Sequence, residues 1–482
     1  MRIFWPVFFL LLAGCTVGPD FERPDAPRKN QYEAGGDPDR IGGMRFGKGK
    51  VPAENWWKVF GSAELDRAVE EGMARNPTVQ AAQESLKASE ENLRAGYGIF
   101  YPQVGIAANP ARQKFSPARF GSNAPASLFN LITLSASVSY ALDLFGGEKR
   151  SIENLESRTE SARQILSGTY LSLTGNIVNT VIAVAAYRSE IAIGESLVSL
   201  QKEEIAIAEK QVEAGVASGQ SLLPLKSQLD DFEASLPPLR QKRSAAEHLL
   251  ATLEGREPAE GEPSGISFDA LAEPSDLPLS LPSEVVKRRP DILAAEAELH
   301  AASANIGVAT AALFPSFALN ANYGQNAGSM NGLFGNQANF WSLGANVAAP
   351  VFNGGTLVAQ KREAVAAYRQ SLAQYRQTVL SALAQVADSI RALQHDEELV
   401  KAESRSVGDA KDALHLAQVG YRAGTSDYLQ AISARIRYQQ ARSVHLQALA
   451  QRFQDITAYF VSLGGSGAAI KPRARTPSGS TR

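Results

Sequence analysis

The chain contains one cysteine among its 482 residues, and this scarcity restricts its chemistry. One cysteine excludes an intrachain disulfide and any metal site built from several thiolates. Positive charge is not in excess either, since 48 Lys and Arg residues stand against 50 Asp and Glu residues, giving a net charge of −2. Nucleic-acid-binding domains usually carry a basic excess, so we expect no nucleic-acid partner.

Long apolar runs are missing after the N-terminus. No stretch beyond Cys15 is uninterruptedly apolar over the roughly 18 residues that a membrane-spanning helix needs. We therefore expect no transmembrane helix. If the chain crosses a membrane, it must do so as strands closed into a barrel, because unpaired backbone groups are not stable in lipid.

Signals of catalysis and metal binding are also missing. The sequence has no phosphate-binding loop and no Gly-x-Ser-x-Gly nucleophile motif. The histidines do not stand with cysteines or carboxylates at metal-ligand spacing; they are His248, His300, His395, His415 and His445. Glu296 and His300 share a predicted helix, where we interpret them as a surface pair. We expect no catalytic residue, metal or cofactor, which disfavours a lipoprotein enzyme.

The N-terminus has the features of a bacterial lipoprotein signal. Arg2 precedes the apolar segment Ile3 to Leu12, which is too short to span a bilayer and is typical of a signal peptide. Small residues then lead to Cys15, so we predict cleavage before Cys15 and its acylation. Two or more acyl chains anchor a protein stably. The alternative is an ordinary secretory signal with an incidental cysteine.

The mature sequence consists of two similar blocks, about residues 76–253 and 289–463. Each block is predicted to contain a helix, two strands with a loop between them, a very long helix, a glycine turn and a returning helix. The corresponding anchors are Pro77 and Pro290, Tyr101-Pro102 and Phe314-Pro315, Phe145-Gly146-Gly147 and Phe352-Asn353-Gly354-Gly355, and Ala214-Gly215 and Ala423-Gly424. A duplicated unit of this kind indicates the wall of a conduit more than the cleft of an enzyme.

Four segments alternate between apolar and polar residues, as membrane barrel strands do. In the segment from Leu131, one parity is apolar: Ile132, Leu134, Ala136, Val138, Tyr140 and Leu142. The other parity is polar: Thr133, Ser135, Ser137 and Ser139. The runs from Phe317 and Trp341 repeat the pattern, and the run Gln103 to Asn109 shows it most weakly. A soluble sheet with one wet face gives the same alternation and is the alternative.

The number of strands favours an oligomer. Polar loops, Ala111–Asn130 and Gln325–Asn339, join the strands of each pair, so one chain offers four spanning strands. The smallest membrane barrels have about eight strands. Two copies would give a narrow barrel filled by side chains, whereas three would give about twelve strands and an open lumen. We expect a homotrimer.

Two long helices complete the pattern. Residues 148–213 and 356–423 contain no proline, and about 65 helical residues extend roughly 100 Å. Gly215 and Gly424 are expected to end these helices as C-cap residues, and the chain then returns as two further helices, the first interrupted at Pro237-Pro238. A solid antiparallel bundle is the alternative to a helical barrel.

These features predict a domain organisation. It comprises a signal peptide (1–14), an acylated N-terminal segment and belt (15–61), a first repeat (62–254), a connector and belt (255–283), a second repeat (284–463) and a disordered tail (464–482).

Several stretches resemble the TolC-type outer-membrane efflux proteins, specifically their lipoprotein branch, the OprM/NodT-like one. They are Cys15–Pro24, Asn55–Phe60, Leu236–Leu239 with Glu247-His248, Arg288–Ile292 through Phe314-Pro315, and the two Phe-Gly-Gly-type turns at Phe145 and Phe352. The resemblance implies a homotrimeric, twelve-stranded outer-membrane β-barrel, four strands per chain, continued by a long periplasmic α-helical barrel. It implies passive export coupled to an inner-membrane RND-type pump through a periplasmic adaptor.

The resemblance also implies a gate and an adaptor contact at the helix turns. Leu429 falls at the position of an apolar ring, whereas Ser433 stands where the family often has an acidic residue. Asp427 and Arg435 lie nearby and are further gate candidates, although Asp427 also suits a helix N-cap. The adaptor-contact candidates are Gly215, Val216, Gly424 and Thr425.

Two other functions remain open at this point. A lipid-anchored periplasmic coiled-coil adaptor without a pore would have soluble strands and would not form a trimer in detergent. The outer-membrane duct of a protein secretion system would share the fold but not the cargo.

Overall fold

The computed structural model describes residues 16–121, 123–260 and 265–465. Cys15, the predicted signal peptide and the predicted tail from residue 466 onwards lie outside the described residues. The helices are α1 (Ala63–Arg75), α2 (Pro77–Gly96), α3 (Gly147–Glu213), α4 (Leu222–Leu253), α5 (Pro282–Val286), α6 (Pro290–Ala311), α7 (Thr356–Arg422) and α8 (Tyr428–Ser462). Both very long helices, α3 and α7, are confirmed.

The described strands form two separate sheets. They are β1 (Arg40–Ile41), β2 (Met44–Lys48), β3 (Gln103–Phe115), β4 (Ser127–Leu142), β5 (Asp276–Leu279), β6 (Ser316–Ala327) and β7 (Asn339–Ala348). The larger sheet has the order β3-β4-β6-β7, and all its neighbours are antiparallel. The smaller sheet has the order β1-β2-β5, with β2 and β5 parallel.

The chain divides into two compact units. One unit contains the larger sheet and comprises Ser85–Ala162, Ala295–Arg376 and the segment that ends at Pro24. The other unit contains the smaller sheet and comprises Asp25–Glu84, Arg163–Ala294 and the chain from Gln377. Each predicted repeat therefore contributes residues to both units.

The strands of the larger sheet extend further than the sequence predicted. β3 continues to Phe115, which pairs with Ser127, and β6 continues to Ala327. The predicted loops Ala111–Asn130 and Gln325–Asn339 were therefore too long. The prediction relied on alternating side chains, whereas backbone hydrogen bonding continues through segments where the alternation has ended.

The core of the unit that contains the smaller sheet is aromatic and aliphatic. The side chain of Phe60 is completely buried, and its ring lies 5.9 Å from that of Phe453 on α8. Trp56, also buried, stacks on Phe460 at 5.3 Å. The Trp-Trp segment that precedes α1 thus fixes the N-terminal part of this unit to α8, while the short parallel sheet had no sequence signal.

The predicted interruption at Pro237-Pro238 is wrong, because α4 runs through both prolines. A proline removes the hydrogen bond to the carbonyl four residues earlier. Glu233 and Ala234, which carry those carbonyls, are exposed, so water can replace the lost donors. Leu236 is buried against Gly194 of α3, where an added Cβ would lie 2.8 Å from the leucine, and this packing supports the helix across the prolines.

Helix α3 is the one helix in the described ranges that is long and apolar enough to cross a membrane by length and composition. Of its most apolar 18-residue window, 67% is buried inside the structure. Ile177, Val181 and Ile182 are fully buried there. Core packing therefore accounts for the apolar composition of this window.

Candidate functional site

One face of the larger sheet is apolar across all four strands. Side chains that are directly opposite in neighbouring strands share a face, and the register pairs Val104 with Val138, Val138 with Ala321, and Ala321 with Leu343. The exposed fractions are 72% for Val104, 81% for Ile106 and 77% for Leu343. A contiguous apolar surface of this kind marks an interaction site or a lipid-facing wall.

The opposite face of the sheet is polar and carries no charge. Across the strands, Ser137 pairs with Asn322 and Asn322 with Ser342. The Thr133 hydroxyl donates to Asn326 Oδ1 at 2.8 Å. The members of this face in β4, β6 and β7 are Ser127, Phe129, Leu131, Thr133, Ser135, Ser137, Ser139, Ala141, Ser316, Ala318, Asn320, Asn322, Gly324, Asn326, Phe340, Ser342, Gly344, Asn346 and Ala348. Hydroxyl and amide groups can line a water-filled space without selecting for charge.

The sheet has two free edges within the described residues. β3 and β7 stand at the ends of the strand order, and each has one hydrogen-bonded neighbour. Lipid offers no hydrogen-bond partners, so in a membrane the backbone N–H and C=O groups along a free edge must pair with other protein groups. Pro110 lies in β3, and proline donates no ladder hydrogen bond.

The turns after α3 and α7 have the same geometry. Gly215 has φ +70° and Gly424 has φ +71°, in the left-handed region that favours glycine. In each turn the glycine N–H bonds three residues back, and the next N–H, of Val216 or Thr425, bonds five residues back. This is the Schellman helix end, so the predicted C-cap glycines are confirmed.

The adaptor-contact candidates lie on these turns and are all exposed. The Val216 side chain is 80% exposed. No atom would come within 4 Å of a Cβ added at Gly215 or Gly424, so the surroundings of both glycines are open. These residues remain predicted contacts.

The gate candidates follow the second turn. Asp427 caps α8, since its Oδ1 accepts the backbone N–H of Gln430 at 2.8 Å. Leu429 is half-buried and Arg435 is exposed. The Ser433 hydroxyl donates to Glu204 Oε1 of α3 at 2.7 Å. Ser433, which stands where the resemblance implies an acidic residue, thus contacts a carboxylate supplied by another helix.

A second link joins the same two helices. The Tyr428 hydroxyl donates to Glu203 Oε1 at 2.5 Å, and this hydrogen bond raises the pKa of Tyr428 above its usual range. The Tyr421 ring lies 5.0 Å from the Tyr428 ring. Sequence reasoning missed Tyr428, Glu203 and Glu204, because the partners are more than 220 residues apart and nothing in their local patterns joins them.

The segment after Cys15 is held along helices of the unit that contains the larger sheet. Arg150 Nη2 contacts Asp20 at 2.6 Å, and Arg23 Nε contacts Glu296 at 2.7 Å. Phe21 stacks on His300 at 4.3 Å. Glu296 and His300 are therefore not paired with each other, because His300 Nε2 lies 2.8 Å from Glu153. This arrangement fixes the residues that immediately follow Cys15.

A charged cluster lies in the unit that contains the smaller sheet. Arg452 of α8 is buried and contacts Glu273 at 2.6 Å and Glu397 at 2.8 Å. Asp396 is also buried, 7% exposed, beside Asp455. Burial and the neighbouring Asp455 raise the pKa of Asp396 from 3.8 to about 7, with Arg452 opposing the shift.

This pKa predicts that stability falls as pH rises. The folded state binds the Asp396 proton more tightly than the unfolded state. The stabilisation of the folded state by this proton is therefore complete below pH 3.8 and is lost by about pH 7. Asp396→Asn keeps the side chain neutral, so we expect a higher thermal unfolding midpoint than the parent at pH 8 and little difference at pH 4. Asp388→Asn, an exposed aspartate on the same helix, is the control. Equal pH profiles for parent and Asp396→Asn would contradict the prediction.

The chain is similar to known proteins over most of its length. The model of the outer membrane efflux protein family matches residues 68–256 and 281–465. Nodulation protein T of Rhizobium leguminosarum bv. trifolii is 27% identical over 477 residues, covering 96% of each chain. The pyoverdine export outer membrane protein OpmQ of Pseudomonas putida is 28% identical over 428 residues, covering 88% of this chain and 90% of the relative.

A solved structure is similar over almost the whole length. The outer-membrane channel OprN superposes with a TM-score of 0.84 and 29% sequence identity, covering 94% of this chain and 100% of that chain. The fold described above is therefore that of an outer-membrane channel.

Proposed function

Since the chain belongs to the outer membrane efflux protein family, we propose that it is the outer-membrane channel lipoprotein of a tripartite efflux system. It provides a passive export duct for small molecules. An inner-membrane RND-type pump supplies the energy, and a periplasmic adaptor connects pump and duct. The observation that carries the proposal is the larger sheet, with one exposed apolar face, one uncharged polar face and two free edges.

The two edges support a closed homotrimer. In the proposed assembly, β7 of one chain pairs with β3 of the next, and three chains form a twelve-stranded barrel without edges. The apolar faces then contact lipid and the polar faces line the lumen. The long helices of the two sequence repeats form a helical barrel in the periplasm, and the belt comprises residues 15–61 and 255–283.

Acylation of Cys15 would provide a second attachment to the outer membrane. The contacts of Asp20, Phe21 and Arg23 support this role, because they hold the segment next to Cys15 against α3 and α6. A fixed segment restricts where the acyl chains can enter the bilayer.

The helix turns are proposed as the gate and the adaptor contact. Asp427, Leu429, Ser433 and Arg435 lie at the start of α8, and the Tyr428–Glu203 and Ser433–Glu204 hydrogen bonds hold this start against α3. We assign the closed state to the arrangement in which these bonds are formed. Gly215, Val216, Gly424 and Thr425 are the proposed adaptor contacts.

The nature of the relatives favours small-molecule export. OpmQ is named for pyoverdine export, and another relative, TtgC, is a toluene efflux pump outer membrane protein. A protein-secretion duct and a pore-less adaptor are therefore the less favoured alternatives.

The Cys15→Ser variant separates a barrel from a merely lipid-anchored protein. We expect this variant, which cannot be acylated, to remain in the outer-membrane fraction as a heat-modifiable trimer, because the strands themselves hold the membrane. The wild-type chain is the control, and both proteins should conduct ions in planar bilayers. Release of Cys15→Ser as a soluble monomer would favour the pore-less adaptor.

A further inference from the structure

The strand regions carry charge of one sign only. Between residues 95 and 142, the chain contains three cations, Arg112, Lys114 and Arg119, and no Asp or Glu. Residues 312–360, which include β6 and β7, contain no charged residue at all. A cation in these regions therefore has no carboxylate of the same sheet to neutralise it.

Arg112 and Lys114 lie on the apolar face and not on the polar one. They have the same parity in β3 as Val104 and Ile106, and they pair with Asn130 and Leu128 of β4. Both residues are exposed. Neither forms an ion pair within the residues that the structure describes.

The two cations stand at the end of the strands that is remote from the helices. The chain enters β3 at Gln103 from α2 and leaves β4 at Leu142 for α3, whereas the β3–β4 turn lies at the opposite end. If the helices are periplasmic, this opposite end faces the cell exterior. Arg112 and Lys114 thus follow the apolar part of β3 towards the outside.

Their height matches the outer boundary of the hydrocarbon layer. The eight residue steps from Val104 to Arg112 extend roughly 27 Å at about 3.4 Å per residue, and a tilt of about 40° reduces this to about 20 Å along the membrane normal. Lys114 lies about 5 Å higher. The apolar band of outer-membrane barrels is about 25 Å tall, so both side chains can reach the outer headgroups by extending their apolar stems.

Edge protection is the other physical explanation for cations on an edge strand. It requires charges that discourage pairing of β3. In the proposed trimer the β3 edge is already paired, and side chains that alternate above and below a sheet project away from its plane. The cations then face lipid headgroups, for which a guanidinium fork and an ammonium group provide phosphate-binding chemistry.

We propose that Arg112 and Lys114 form a binding site for the phosphate groups of an anionic glycolipid in the outer leaflet. The occupant is lipopolysaccharide, the phosphate-bearing lipid of bacterial outer leaflets. The inference rests on the proposed barrel, since that barrel turns this face of β3 towards the membrane. Three such sites surround each trimer.

The test compares two double variants of the full-length, acylated chain. Arg112→Gln with Lys114→Gln removes the site, and Lys401→Gln with Arg405→Gln removes the same charge from exposed positions of α7. Each trimer is placed in phosphatidylcholine vesicles that contain lipopolysaccharide or its dephosphorylated form, and bound glycolipid is measured. We expect roughly 30-fold weaker binding for the first variant, and unchanged binding for the second.

Other outcomes would overturn the inference. Equal binding by both variants, or equal binding of dephosphorylated lipopolysaccharide, would show that these cations do not recognise lipid phosphate. Full competition by millimolar inorganic phosphate would show a general anion site. Single-channel conductance separates this inference from the proposed function, because a conducting trimer without lipid selectivity refutes only the inference, whereas failure to form a trimer refutes the barrel.

Discussion

Replacing Leu343 by arginine is expected to abolish insertion of the barrel, whereas arginine at the neighbouring Ser342 is expected to be tolerated. Leu343 lies near the middle of β7 on the apolar face and is 77% exposed. An arginine on the lipid face near the bilayer midplane costs about 2–4 kcal/mol, and a trimer carries three copies. Ser342 lies on the polar face, where water can solvate an added charge.

Both variants carry the same added charge on adjacent residues of one strand, so each controls for the other. The measurement is the amount of heat-modifiable trimer in the outer-membrane fraction at matched expression. We expect at least a tenfold loss for Leu343→Arg, since even 2 kcal/mol changes an equilibrium by about 30-fold. Similar loss for both variants would show that the sheet does not have one lipid face and one aqueous face.

Removing the two links between α3 and α8 is expected to open the gate. Ser433→Ala leaves the buried Glu204 carboxylate without its hydroxyl donor, which costs about 1.5 kcal/mol. Tyr428→Phe removes a more exposed hydrogen bond to Glu203, worth about 0.5 kcal/mol after solvent screening. Together the two substitutions raise the ratio of open to closed arrangements of the α7–α8 pair about 30-fold in each protomer.

Planar-bilayer conductance of the Tyr428→Phe, Ser433→Ala double variant measures this change directly. We expect long-lived high-conductance openings and increased sensitivity of cells to bulky hydrophilic antibiotics. Tyr421→Phe is the matched control, because it removes a neighbouring phenol for which no hydrogen bond to either glutamate is present. If the double variant conducts like Tyr421→Phe, then closure does not depend on these two links.

The sequence predicts the parts of this fold that depend on local periodicity. The alternation from Leu131 identified β4 and its two faces, and the proline-free stretches identified α3 and α7. The C-cap role of Gly215 and Gly424 followed from a local requirement for positive φ. In these cases neighbouring residues determine the structure, so one sequence suffices.

The remaining features depend on contacts between distant residues. The parallel pairing of Phe46 with Leu277 has no local signal, and the partners of Tyr428 and Ser433 lie on another helix. Pro237 was expected to interrupt α4, but the packing of Leu236 against Gly194 outweighs the local preference. The gate candidates remain a prediction, and the sequence did not identify the two carboxylates of α3 that contact the start of α8.

In the proposed assembly three chains share one wall, with β7 of each chain joined to β3 of the next. Cysteines introduced at Gly105 of β3 and at successive positions of β7 can test this in the outer membrane, because Cys15, the only native cysteine, is the predicted acylation site. On non-reducing gels we predict that one register gives a covalent species of three protomers as the largest product. A series that ends at two protomers, continues beyond three, or shows no cross-link at any register would contradict the shared barrel.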